Sequence, residues 1–454
     1  MAASTPPMSP GKKILRAAGS PGRYIKMKMR EGSNPASVFA LVVCCLGSGM
    51  LTIPYSFLEN GFALGSGFVL VGAVLSIFTG YLVVYASDKT NGSCYEEIAL
   101  AVFGPGWQKF TSACMIPTNG GFVLTYYVLF KSFAPHTLTL LKLELPGWCD
   151  ESKVGQIFWA VLFFIVCVLA TLPRKLSELR FASLLSVMLS IYVVLVIVFN
   201  AFLCKGSSES VSAGFKAGHE KTEITANGIF GSLPLILFSY MYQPNIPQIY
   251  QELENKSRGN ATVILLCGTI LAAVAYISAG IFGYVAFADG PADNPYTKKQ
   301  LEDFFSDNAL AAPYHNSKGN TPIPIFIALF GMMVVVTFAV PFCVLPMKDS
   351  IEEVRGRKFT KKDNIIWTLV INISIAIISC IFLTIKLPIA ILGATTNSAI
   401  GFLLPVCYYL KLEKRTSPYT NMKIGCYIVF FFICVSSIIE LVTIVIDVAN
   451  GDED

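Results

Sequence analysis

The stretch LVVCCLGSGMLTIPYSF, residues 41–57, begins as a membrane helix and then breaks the rules for one. Gly47, Ser48 and Gly49 stand together at its middle, and Pro54 follows within two turns. Small residues let membrane helices pack closely. They also let a helix unwind, and in hydrocarbon an unwound backbone survives only where protein or a water-filled cavity serves its amides and carbonyls. Residues 41–57 alone leave both readings open.

The surrounding chain narrows the choice. Its 454 residues are 54% hydrophobic and 14% charged, with a mean hydropathy of +0.62. That composition excludes a water-soluble globule and defines an all-α polytopic membrane protein. Apolar stretches of about 20 residues predict eleven spans, near 37–56, 62–86, 110–133, 156–172, 181–204, 226–249, 261–288, 322–346, 364–385, 388–410 and 422–446. Residues 1–35 hold seven Lys or Arg and one acid, Glu31, without an apolar core, so they read as a disordered cytosolic tail and not a signal peptide.

With the N-terminus in the cytosol, about 24 of the 34 Lys and Arg fall on that side. The triplets at Asn91, Asn255 and Asn260 then lie in cytosolic loops, and the acidic C-terminus lies outside. Thirteen Cys show no metal-ligand spacing and three His lie in extracytosolic loops, so neither a zinc site nor a Ser-His-Asp arrangement is expected. Cys149 and Cys204 fall on the oxidising side, as a disulfide or as two thiols.

A second interruption answers the first. Residues 226–252, ANGIFGSLPLILFSYMYQPNIPQIYQE, carry Pro234, Pro244 and Pro247 around Ser239, Tyr240, Gln243 and Asn245. The interrupted spans are five apart, the spacing of a five-plus-five inverted repeat: 36–204 (spans 1–5), a loop at 205–225, and 226–411 (spans 6–10, with an outer loop at 289–321). Span 11 and the tail, 412–454, lie outside it. Paired broken helices mark substrate sites near the membrane midplane. A half-helix N-terminus attracts a carboxylate and a C-terminus an ammonium, which suits an amino acid zwitterion. Of the intramembrane charges, Lys131 reads as snorkelling and Glu440, in span 11, is a candidate proton acceptor outside the repeat.

Several stretches resemble the amino acid/auxin permease family, and within it the system A/N neutral amino acid transporters. They are SVFALVVCCLGSGMLTIPYSFLENG, CYEEIALAVFG, LPLILFSYMYQPNIPQIYQELENKS, ISAGIFGYVAF and LGATTNSAIGFLLPVCYYLKLE. The resemblance implies a LeuT-like fold and amino acid transport by alternating access, with no enzymatic activity. It places substrate against Leu46, Gly47, Ser48, Gly49 and Met50 of span 1, Asn119 and Tyr126 of span 3, and Phe238, Ser239, Tyr240 and Gln243 of span 6. The family's sodium-coupled members carry an Asn where this chain has Val43, which leaves Thr337 of span 8 as the remaining side-chain oxygen. Proton-coupled or uncoupled transport is therefore expected over sodium coupling, with H+ the coupling ion if there is one. Gln243 replaces a His of some members and cannot titrate near neutral pH.

With no acid or Arg in the expected site, a neutral substrate follows. The expected partners are the amino acid and membrane lipid; nucleic acid is not among them, and a monomer is expected. Plasma membrane and vacuolar or lysosomal membrane both stay open. A different class, an amino acid-sensing receptor with little flux, would need a partner-binding tail, and residues 1–35 hold no hydrophobic docking stretch.

Overall fold

The computed structural model describes residues 29–47, 49–140, 146–150, 152–173, 179–205, 208–220, 226–287, 323–382, 386–413 and 421–450. All the regular structure among them is helical. The helices are α1 (Asn34–Cys45), α2 (Gly49–Thr90), α3 (Tyr95–Phe103), α4 (Pro105–Leu140), α5 (Lys153–Ala170), α6 (Arg180–Lys205), α7 (Ser208–Glu220) and α8 (Ala226–Ser239). After a 3-10 turn at Gln243–Asn245 come α9 (Ile246–Gln251), α10 (Arg258–Phe287), α11 (Ile323–Arg355), α12 (Lys361–Ser379) and α13 (Lys386–Leu392). Two π-turns, Gly393–Asn397 and Ala399–Leu403, lead into α14 (Leu404–Leu412), and α15 (Asn421–Asn450) closes the chain.

Among the described residues, nine helices are long and apolar enough to cross a membrane, against eleven expected spans. The difference falls on the interrupted spans. The first is cut into the 12 residues of α1 and the start of α2, and the sixth into the 14 of α8 and the 6 of α9. At 1.5 Å per residue no such piece reaches across the roughly 30 Å hydrocarbon layer. α2 itself runs two expected spans together across a bend at Gly61, whose φ of 72° is the left-handed region glycine tolerates best.

α10 packs along α2 and α11 along α4, while α8 packs against α2 and α1 against α6 and α10. α5, α12 and α15 form the rim, with Leu169, Ile377 and Phe431 more than 60% exposed, as lipid-facing residues should be. α7 is a helix inside the expected 205–225 loop; its polar sequence, SESVSAGFKAGHE, gave no apolar signal for it. Residues 1–28 and the expected outer loop at 289–321 lie outside the described residues.

Lys131 does not snorkel. It is 3% exposed, and its ammonium donates to Ser379 O and, at 3.4 Å, to Phe382 O at the end of α12. The last carbonyls of a helix have no intrahelical partners, and a cation there satisfies them.

Buried charge also collects where α3 meets the end of α11. Cys94, Glu97 and Glu353 could converge on a metal ion, but the Lys358 ammonium already lies 3.9 Å from Glu97 and 3.5 Å from Glu353. Beside them Glu96 is fully buried and accepts from Ser350 Oγ. Burial pushes its carboxyl above the ordinary range, the Ser350 bond pulling the other way. A carboxyl raised in the fold binds more protons there than in the unfolded chain. Stability is therefore full below the ordinary carboxylate range and falls as pH climbs through the raised value. Glu96→Gln should flatten that fall, read as Tm against pH in detergent; an unchanged pH slope would rule the residue out as its source.

Candidate functional site

α1 ends at Cys45, and Leu46 N–H still reaches back to Val42 O at 2.8 Å. The chain then runs through Leu46 and Gly47 before α2 starts at Gly49. Ser48 lies outside the described residues. Across from this first break α8 ends at Ser239, and Tyr240–Tyr242 cross to the 3-10 turn with Met241 N–H donating to Phe238 O and Tyr242 N–H to Tyr240 O. Both interruptions read from the sequence are therefore real breaks in helical backbone, and they touch. A Cβ on Gly49 would lie 2.3 Å from Ser239 Oγ and 2.8 Å from Ser239 Cα.

The freed carbonyls are served by side chains from α2, α6 and α10, as a backbone buried in hydrocarbon requires. Ser190 Oγ of α6 donates to Leu46 O at 3.3 Å. Ser76 Oγ of α2 donates to Tyr240 O at 3.3 Å. Tyr276 Oη of α10 donates to Ser239 O at 2.7 Å and lies at hydrogen-bond distance from Cys45 O as well. One phenol thus joins the C-terminal ends of α1 and α8. Its ring meets Tyr240 edge to face, with centroids 5.1 Å apart.

Beside the breaks is a small cavity of about 10 Å³, lined by Cys44, Asn119, Tyr126, Asn245, Cys343 and their apolar neighbours. Space of that size holds about one water, too little for a larger molecule unless the helices part. Tyr126 faces the first break, where a Cβ on Gly47 would lie 2.9 Å from its hydroxyl. Asn119 lines the cavity but spends its amide on Met115 O, 3.0 Å away in its own helix. Phe238 stacks on Phe122 of α4, with centroids 4.4 Å apart. Ser239 Oγ donates to Leu235 O at 2.6 Å, and Leu46, Met50 and Tyr240 are fully buried at the breaks.

Other expected residues sit elsewhere. The Gln243 amide donates to Thr79 Oγ1 of α2 at 3.2 Å, and its neighbour Asn245 takes the place on the cavity wall. The Asn245 Oδ1 atom is buried without a partner, while its amide points at Cys44 Sγ, 3.4 Å away. Thr337 Oγ1 donates to Met333 O in its own helix, and Val43 is buried and apolar. Cys149 is a buried free thiol, and the side chain of Cys204 lies outside the described residues.

The pieces of the two broken spans are also tied together beyond the breaks. Glu254 N–H donates to Gly32 O at 2.9 Å, joining the turn before α1 to the chain after α9. Ion pairs Arg30–Glu254 (3.3 Å) and Glu31–Arg180 (2.7 Å) flank that bond. Exposed pairs of this kind contribute only up to about 1 kcal/mol. The close backbone contact at Gly32 is the stronger constraint.

Residues 30–446 match the family model described as transmembrane amino acid transporter protein, and the chain belongs to that family, the amino acid/auxin permeases. It is a multi-pass membrane transporter and not an enzyme. One relative is the sodium-coupled neutral amino acid symporter 2 of Danio rerio, 22% identical over 436 residues that cover 91% of this chain and 81% of the relative.

Proposed function

We propose that this protein carries neutral amino acids across a membrane by alternating access, holding the substrate where the two broken spans meet. The observation that carries the reading is the convergence of Cys45 O and Ser239 O, the C-terminal ends of α1 and α8, on one point. Two helix ends of negative partial charge favour an ammonium group. The opposite sign is supplied by the N-terminal end of α2, which starts at Gly49 on the other side of the break and suits a carboxylate. Substrate thus meets Leu46–Met50, Ser239 and Tyr240, with Asn119, Tyr126 and Phe238 against its side chain. Asn245 takes the role expected of Gln243. No Asp, Glu, Lys or Arg lines the small cavity among the described residues, which supports a neutral side chain.

The finer architecture belongs to the same reading. Counting each interrupted pair as one gives eleven spans in two inverted five-span repeats with α15 added. The packing of α2 on α10 and α4 on α11, each pair five spans apart, supports that count. The basic-residue bias puts the N-terminus and the Gly32–Glu254 contact at the cytosolic end.

Coupling is read as proton-driven or absent. Val43 offers no oxygen, and the Thr337 hydroxyl is turned to its own helix. The relative's sodium coupling argues the other way. Replacing sodium by choline should leave labelled uptake within about twofold, below the tenfold that 1.4 kcal/mol would give. In the same assay neutral amino acids should compete and lysine or glutamate should not. Uptake that stops in choline would reinstate sodium, and competition by lysine or glutamate would remove the neutral assignment.

A further inference from the structure

Tyr276 poses a proton-counting problem. A phenol carries one O–H and can fully satisfy one acceptor, yet Cys45 O and Ser239 O both lie at hydrogen-bond distance from its oxygen. Both carbonyls belong to helix ends freed by a break, and Cys45, Ser239 and Tyr276 are all at most 2% exposed. Buried carbonyls without a donor are costly. When an ammonium sits between them it brings three donors, and the phenol is not needed. When no ammonium is there, Tyr276 is the donor among the described residues that reaches both ends. Ser190 and Ser76 serve the next carbonyls along, Leu46 O and Tyr240 O, and not these two.

We propose that Tyr276 is a positioning residue that stands in for the substrate's ammonium, allowing the two broken spans to close against each other when the carrier is unloaded. The inference rests on the transport reading above and deepens it. Net flux requires the unloaded carrier to reorient, whereas exchange of one amino acid for another returns it loaded every time. The Tyr276 hydroxyl therefore governs the first mode and not the second. Its ring is held separately, edge to face against Tyr240, so removing the oxygen alone leaves that packing in place.

The test compares two modes in reconstituted vesicles with a labelled neutral amino acid. In Tyr276→Phe, net efflux into substrate-free buffer should fall about tenfold, the effect of leaving one buried carbonyl without a donor. Exchange against saturating unlabelled amino acid should stay within about twofold of the wild type. Equal loss of both modes would make the residue merely structural, and no change in either would remove it from the cycle; each result overturns the proposal. If the Phe variant does not insert, Tyr276→His supplies a ring N–H instead. It should keep the wild-type ratio of net flux to exchange, and a selective loss of net flux there would contradict the idea. Wild-type protein showing neither mode for any amino acid would instead remove the transport reading itself.

Discussion

Gly49→Val should reduce amino acid uptake by at least about tenfold while the protein still inserts and reaches the membrane. The reason is the crossing of the breaks. A Cβ at position 49 would sit 2.3 Å from Ser239 Oγ and 2.7 Å from Ser239 Cβ, and 2.8 Å from the Ser239 Cα, which cannot rotate away. Overpacking a tight contact costs about 1–3 kcal/mol, and here it falls on the element that the proposed cycle opens and closes. Gly47 is a milder case, because its obstacle is the Tyr126 hydroxyl at 2.9 Å. Gly47→Ala should impair uptake, and Tyr126→Phe in the same chain should restore part of it by removing that oxygen. Uptake unchanged in Gly49→Val, measured per surface copy, would mean that the breaks do not work as a unit.

Gly32→Val should have a comparable effect through the other end of the same helices. Gly32 holds a φ of 68°, and a Cβ there would lie 2.2 Å from Glu252 O and 2.7 Å from Glu254 N. A β-branched residue can neither adopt that backbone easily nor approach so closely. The bond from Glu254 N–H to Gly32 O, which ties the turn before α1 to the chain after α9, would be lost. The expected result is uptake down by about tenfold, since a strained left-handed position and a backbone clash together exceed about 1.4 kcal/mol. Labelling of Cys44, on the wall of the small cavity, by an impermeant thiol reagent added from the cytosolic side should rise. Labelling no faster than in the wild type would show that this contact does not hold the end shut.

How much of this was legible follows from what a sequence can encode locally. Gly47-Ser48-Gly49 and the Pro234, Pro244 and Pro247 series announce broken backbone, because few other residues allow or force it. The polar residues next to the breaks were legible for the same reason. Beyond a break, helical periodicity no longer says which way a side chain points. That is why the side chain of Gln243 was expected to face the space beside the breaks, whereas it bonds to Thr79 and Asn245 lines the small cavity. Tyr276 was invisible: VAYISAGIF reads as ordinary apolar helix, and only the fold brings its hydroxyl to the carbonyls of α1 and α8. Lys131 failed for a related reason, since the end of α12 that it caps comes from a distant part of the chain. Among the described residues nine helices are long enough to cross, two fewer than the expected spans, because α1, α8 and α9 are each too short to satisfy a length criterion.

Counterflow tests the two-break carrier most sharply. Purified protein is reconstituted into vesicles loaded with an unlabelled neutral amino acid, and entry of the labelled amino acid is followed. Saturable, transient accumulation of label above equilibrium is expected, driven by the internal amino acid alone and lost in Gly49→Val. Correctly folded protein that gives no saturable amino acid entry, or gives entry that internal substrate does not accelerate, would contradict an alternating-access carrier built on the two breaks.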